Sequence, residues 1–222
     1  MNVFDTTERA PGEQGARLSK AEVTPPARML TWRGVDGGRL ESARVLTSGG
    51  RLRALGQIIA AATDDTPALT VSYELHLDDQ GGVRRLLVHS ITAEEERHLS
   101  ISHSREGIWL VDRGDNLTGG EQRVERTELD GALDVDLAGS ALFATLPVNR
   151  LGLTPESGAQ DVPMAFVGLP DLAVEPVQRR YELVRDEPEG RIVALTSNES
   201  TVELVMDADG FTLDCPGLAR RI

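Results

Sequence analysis

The sequence predicts an all-β protein: a rolled, barrel-like antiparallel sheet with internal duplication. Turn signals built from Gly, Asp, Ser and Pro recur roughly every 8–12 residues, with no long helical period between them. The stretch Ala68 to Asp78 alternates cleanly, with Val71, Tyr73, Leu75 and Leu77 on one face and Ser72, Glu74, His76 and Asp78 on the other, the pattern of a half-buried strand. Tyr-Glu-Leu occurs twice, at Tyr73 and Tyr181, and each copy is followed at the same offsets by an Asp (Asp78, Asp186) and a Gly (Gly82, Gly190).

Taken in order, residues 1–26 are polar and end at Pro25-Pro26; this composition predicts a disordered tail. A single β-roll domain is expected over 27–222. Met29 to Val35 and Leu40 to Thr47 form a hairpin about Asp36-Gly37-Gly38, a strong turn signal. Leu52 to Ala61 is apolar and Ala-rich, but Gly56 and Ile58-Ile59 favour a strand. Gln80-Gly81-Gly82 turns into Val83–Ile91. Thr92–Arg97 is acidic and reads as a short helical turn; His98–Ser104 and Gly107–Asp112 then make a hairpin. Residues 114–131 are polar, a loop with one weak strand.

The stretch 133–151, LDVDLAGSALFATLPVNRL, is the expected joint between related halves at about 28–132 and 152–222. It starts as an alternating strand, with Asp134 and Asp136 on the wet face, breaks at Gly139 and continues apolar through Pro147. Beyond it Val162–Val167, Val174–Val184, Arg191–Thr196, Thr201–Asp207 and Gly210–Asp214 read as a meander. Short connections imply that sequence neighbours pair. About a dozen twisted strands curl rather than stay flat, so the halves are expected to wrap around a common hollow.

Composition narrows the function classes. The net charge of −13, from 36 acidic and 23 basic residues, repels phosphate backbones and anionic membranes. Nucleic acid is therefore not an expected partner, and no apolar run is long enough for stable membrane insertion. Aromatics are only 4% of the chain, so the core must be aliphatic. Cys215 is the lone cysteine, which excludes an intrachain disulfide. With no signal-like N-terminus, a cytoplasmic location is expected. Lys20 is the only lysine, so fixed cations in a pocket are guanidinium groups, suited to carboxylate or phosphate.

No catalytic motif is present: GxSxG, GxxxxGK[ST] and GxGxxG are all missing. Asp134 and Asp136 form a same-face carboxylate pair of the kind a hydrolase uses. His76, His89, His98 and His103 lack metal-ligand spacing, so neither metal nor cofactor is expected. Arginines beside apolar residues, at Arg33, Arg150, Arg180 and Arg220, suit an amphiphile with an anionic or sugar head.

Read together, Trp32-Arg33, LES at 40–42, YEL…D at 73–78, DVDL…TLP.NRL at 134–151, RYEL at 180–183 and VMDADGFTLDCPGLARR near the end resemble the bacterial putative glycolipid-binding family, first catalogued as a domain of unknown function. The resemblance covers roughly 28–222. It implies a β-roll similar in shape to bacterial lipoprotein carriers and non-enzymatic binding of a lipid-like or glycolipid-like amphiphile. The candidate ligand-binding residues are Trp32, Arg33, Glu41, Tyr73, Arg150, Tyr181 and Arg220. The chain departs from the family pattern at Ala141, Ala144, Asn149 and Cys215. Arg150 has a second reading, in which its fork pairs with Asp134, Asp136 or Glu41 and holds the joint together. A hydrolase using the Asp134/Asp136 pair and a protein-interaction module remain as alternatives.

Overall fold

The computed structural model describes residues 26–115, 122–198 and 200–222; the expected N-terminal tail lies almost wholly outside them. The first run of strands is β1 (Arg28–Gly34), β2 (Arg39–Ser48), β3 (Arg51–Ala60), β4 (Leu69–Leu77), β5 (Val83–Thr92), β6 (Glu96–His103), β7 (Trp109–Asp115) and β8 (Gln122–Glu125). After β9 (Asp134–Leu137) and the short helix α1 (Leu146–Leu151) come β10 (Gln160–Val167), β11 (Val174–Glu187), β12 (Gly190–Ser197), β13 (Ser200–Met206), β14 (Thr212–Cys215) and β15 (Ala219–Arg221). They form one 15-stranded sheet in the order β8-β7-β6-β5-β4-β3-β2-β1-β15-β14-β13-β12-β11-β10-β9. β1 and β15 meet in the middle, pairing Trp32 with Arg221 and Arg33 with Arg220. The sheet is all-β and rolled but not closed, since β8 and β9 end it without pairing to each other.

One expectation needs correction, and the antiparallel sheet has one exception. Thr92–Arg97 is not a helical turn. The Thr92 N–H donates to the Glu95 carbonyl at 2.9 Å, the Glu95 N–H to Thr92 Oγ1 at 3.1 Å, and the chain reverses tightly from β5 into β6. The sheet is also not wholly antiparallel, because β9 runs parallel to β10, with Val135 opposite Ala165. A parallel neighbour needs a long crossover, which residues 138–159 supply.

That crossover fills the space expected to be hollow. Ala141, Leu142, Phe143, Leu146 and Val148 are each at most 1% exposed. Leu142, Phe143 and Leu146 pack with Trp32, Tyr73 and Leu75 of the first run, whereas Ala144 and Val148 pack with Tyr181, Val193 and Leu204 of the second. The segment is a two-sided wedge. Its helix begins with Pro147 in the first turn, where the missing N–H costs nothing, and stops at Gly152, whose φ of 56° suits the left-handed C-cap. Asp134 is consequently fully buried rather than on a wet face.

Two hairpin turns are built alike. Asp78 Oδ1 accepts from the Gln80 and Gly82 N–H groups, and Asp207 Oδ1 from those of Asp209 and Phe211, all at 2.9–3.0 Å. Gly50, before β3, has no room for a Cβ against the Asp79 backbone, and Gly190, opening β12, has none against Met206.

Cys215 packs in the second core beside Tyr181 and Val193. Burial first, then the charges of Asp136 and Asp214, push its thiol up to about 11. Since only the thiolate is the nucleophile, the native protein should resist iodoacetamide at pH 8 and react stoichiometrically once unfolded in urea; fast labelling of folded protein would contradict this packing.

Candidate functional site

Two buried charged clusters hold the wedge, and a third, part-buried, ties β9 to β11. In the first, Glu41 of β2 is 1% exposed and accepts three hydrogen bonds, from Tyr73 Oη at 2.7 Å, Ser140 Oγ at 2.5 Å and the Ala141 N–H at 2.7 Å. Burial raises the pKa of this carboxyl, against the opposing pull of those donors. In the second, Arg150 places Nε 2.9 Å and Nη2 2.5 Å from Asp134 Oδ2. In the third, Arg179 reaches Asp136 at 3.4 Å. Desolvation raises both aspartates and the guanidinium groups oppose it. Each carboxylate of the Asp134/Asp136 pair is thus engaged by its own arginine.

The opposite face of the first run carries the open space. A cavity of about 890 Å³ is bordered by β1 through β7, within the size range of small-molecule sites, roughly 300–1,000 Å³. One row across the strands reads Met29, Arg44, Leu55, Glu74, Leu87, Ser100, Asp112, and every adjacent pair in it is in direct register. The next row reads Ser42, Gln57, Ser72, His89, His98, Gly114. Seven successive strands can border one cavity only where the sheet bends around it, so this face is a groove. Its floor mixes apolar and charged groups. Leu55 is 38% and Met29 66% exposed, while Glu74 is held low in pKa by hydrogen bonds from His76 and Arg53.

A family model described as Putative glycolipid-binding matches residues 29–221. The chain belongs to that family. It is similar over its whole length to a crystal structure of a DUF1089 family protein from Pseudomonas aeruginosa at 1.80 Å resolution, with 18% identity, a TM-score of 0.65 and coverage of 100% of this chain and 99% of that one. At that identity the likeness shows the fold alone. No curated protein matches the chain.

In this member of the putative glycolipid-binding family, the residues singled out by sequence do not form one cluster. Trp32 is fully buried, its indole N–H donating to the Thr212 carbonyl at 2.8 Å. Glu41 and Tyr73 sit together in the buried clasp, and Tyr73 also underlies the groove. Tyr181 is buried in the second core, its phenol pushed well up by burial and then by the Asp136 and Asp134 charges. Arg33 is exposed on β1, and Arg220 bonds Asp214 at 2.5 Å on the surface. Arg150 borders a second depression of about 600 Å³ with Arg28, Leu52 and Phe211. The groove residues Arg44, Leu55, Leu87 and Asp112 escaped sequence reading, because each is an ordinary outward position on its own strand. Two of the four histidines come together: β5–β6 pairing sets His89 opposite His98, their rings stacked 4.2 Å apart.

Proposed function

We propose that this protein binds a sugar-headed, glycolipid-like amphiphile, without catalysis, in the groove on the outer face of β1–β7. The observation that carries this is the two-row floor. Met29, Leu55 and Leu87 offer apolar contacts for an alkyl chain, and Arg44 and Glu74, which alternate with them in the row, together with Gln57 and Asp112 offer donors and acceptors for hydroxyls. Sugar hydroxyls need such mixed partners, and the apolar contacts supply the affinity. The family description points the same way. Under this reading Glu41, Tyr73 and Arg150 support the groove from behind. Trp32, Tyr181, Arg33 and Arg220 were the other sequence candidates, and none of them borders it.

The test is a titration of dodecyl maltoside, below its micelle concentration, into the full chain. Replacing Leu55 and Leu87 together by Asp should weaken binding at least roughly tenfold, since each buried leucine contributes about 1.5–3 kcal/mol. Equal affinity for both proteins would remove the groove as the site.

We further read residues 27–222 as one domain with internal duplication. The twin Asp78 and Asp207 turns, the twin Gly50 and Gly190 approaches, and GRLRAL at 50–55 against GRIVAL at 190–195 support it. They favour matching β2–β5 to β11–β14, a register that sets Glu41, not Tyr73, against Tyr181. No helix among the described residues is long and apolar enough to cross a membrane. We propose a cytoplasmic location, which the buried free thiol of Cys215 supports.

A further inference from the structure

At one end of the groove β5 and β6 bring together His89, Glu96 and His98. The hairpin at Thr92–Glu95 fixes their register. His89 lies directly across from His98, and Glu96 precedes His98 by two residues, so all three side chains leave the same face. His89 Nε2 is 2.6 Å and His98 Nε2 3.7 Å from Glu96 Oε1. The three ligand atoms all fall within 4.8 Å of one another. The His89 Nε2 atom is shut off from solvent and has no aligned hydrogen bond, although Glu96 Oε1 is its close neighbour.

We propose that His89, Glu96 and His98 form a zinc-class divalent metal site. Two imidazoles and one carboxylate are a donor set that zinc accepts, at roughly 2.0–2.2 Å per ligand, which places tetrahedral ligand atoms about 3.3–3.5 Å apart. The 2.6 and 3.7 Å separations from Glu96 bracket that value, and closing the site requires the stacked imidazoles to turn so that both nitrogens converge on the ion. Both imidazoles border the cavity, which leaves the fourth position to a water or to an oxygen of whatever occupies the groove. Three protein ligands with an open fourth position are the pattern of a reactive or ligand-holding zinc rather than a structural one. The chain's charge of −13 raises the local concentration of cations. This inference rests on the three side chains and stands whether or not the groove holds an amphiphile.

The test is zinc titration of the tag-free full-length protein against a chromophoric chelator, with cobalt(II) as the spectroscopic probe. One equivalent of zinc should bind, and cobalt should give the strong visible bands of a four-coordinate site with nitrogen ligands. His89→Ala and His98→Ala should each weaken zinc binding by more than the roughly 10–100-fold that outer-shell changes cost. Both side chains lie on the solvent face, so the variants should keep the wild-type circular dichroism and unfolding midpoint. His76→Ala, on β4 and bonded to Glu74, should bind zinc as the parent does. Substoichiometric zinc with no visible cobalt bands, or undiminished binding in either the His89 or the His98 variant, would overturn the proposal.

Discussion

Replacing Arg150 by alanine is expected to lower the free energy of unfolding by roughly 3–5 kcal/mol, the cost of leaving a buried ion without its partner. Asp134 is fully buried and Arg150 only 16% exposed, so the carboxylate loses its bidentate partner at a site with little access to water. Burial already raises the Asp134 pKa against the pull of Arg150; without the arginine it should rise further. The sign of the pH dependence follows. A carboxyl whose folded pKa exceeds its unfolded value holds a proton in the folded state that the unfolded state has released, so its contribution is lost as pH rises through the folded pKa. The deficit of the variant should therefore shrink as pH falls from 7 towards the carboxylate range, as read by urea unfolding. Leucine at both 134 and 150 should recover most of the loss, because a buried pair replaced by apolar groups of similar size is close to neutral. An Arg150→Ala protein as stable as the parent would show that the wedge is held by packing alone.

Gly56→Ala should produce a loss of comparable size from one methyl group. The Tyr73 phenol lies against Gly56, where a Cβ would come 2.1 Å from its Cζ and 2.3 Å from its Oη. The ring cannot retreat, because its hydroxyl is held by Glu41 and its edge packs on Phe143 at 5.2 Å. Overpacking of this kind costs about 1–3 kcal/mol, and displacing the tyrosine adds the loss of a buried charge-assisted hydrogen bond, about 1.5–3 kcal/mol. The double variant Gly56→Ala/Tyr73→Leu should be more stable than Gly56→Ala alone, since the smaller side chain vacates the space. If alanine at 56 proved neutral, the Tyr73–Glu41 clasp would not be rigid.

The strands themselves were legible because alternation survives wherever one face is buried; β4 and its Val71–Leu77 stripe are the plainest case. A structural role for Arg150 could be read from sequence, with Asp134, Asp136 or Glu41 as its partner, because it ends one distinctive segment with few other charges; the choice of Asp134 comes from the fold. The burial of Asp134 could not be foreseen: β9 runs parallel to β10 and is covered by its own crossover, so Asp134 is as buried as Val135 and alternation carries no information there. The groove was hidden for a different reason. Its rows join residues from seven strands, and a row exists only once every hairpin register is known. The histidine cluster turned on a single turn. Reading Thr92–Arg97 as helical broke the β5–β6 register; reading Thr92–Glu95 as a tight reversal pairs Ile91 with Glu96, Ser90 with Arg97 and His89 with His98 in succession.

The most direct test of the groove as the binding site is native mass spectrometry of freshly purified full-length protein beside its Leu55→Asp/Leu87→Asp variant. The account predicts a lipid-sized mass increment on the parent that yields an alkyl chain and a sugar on fragmentation, and little or none on the variant. A parent that is bare even after incubation with dodecyl maltoside, or a variant carrying the same increment, would contradict it.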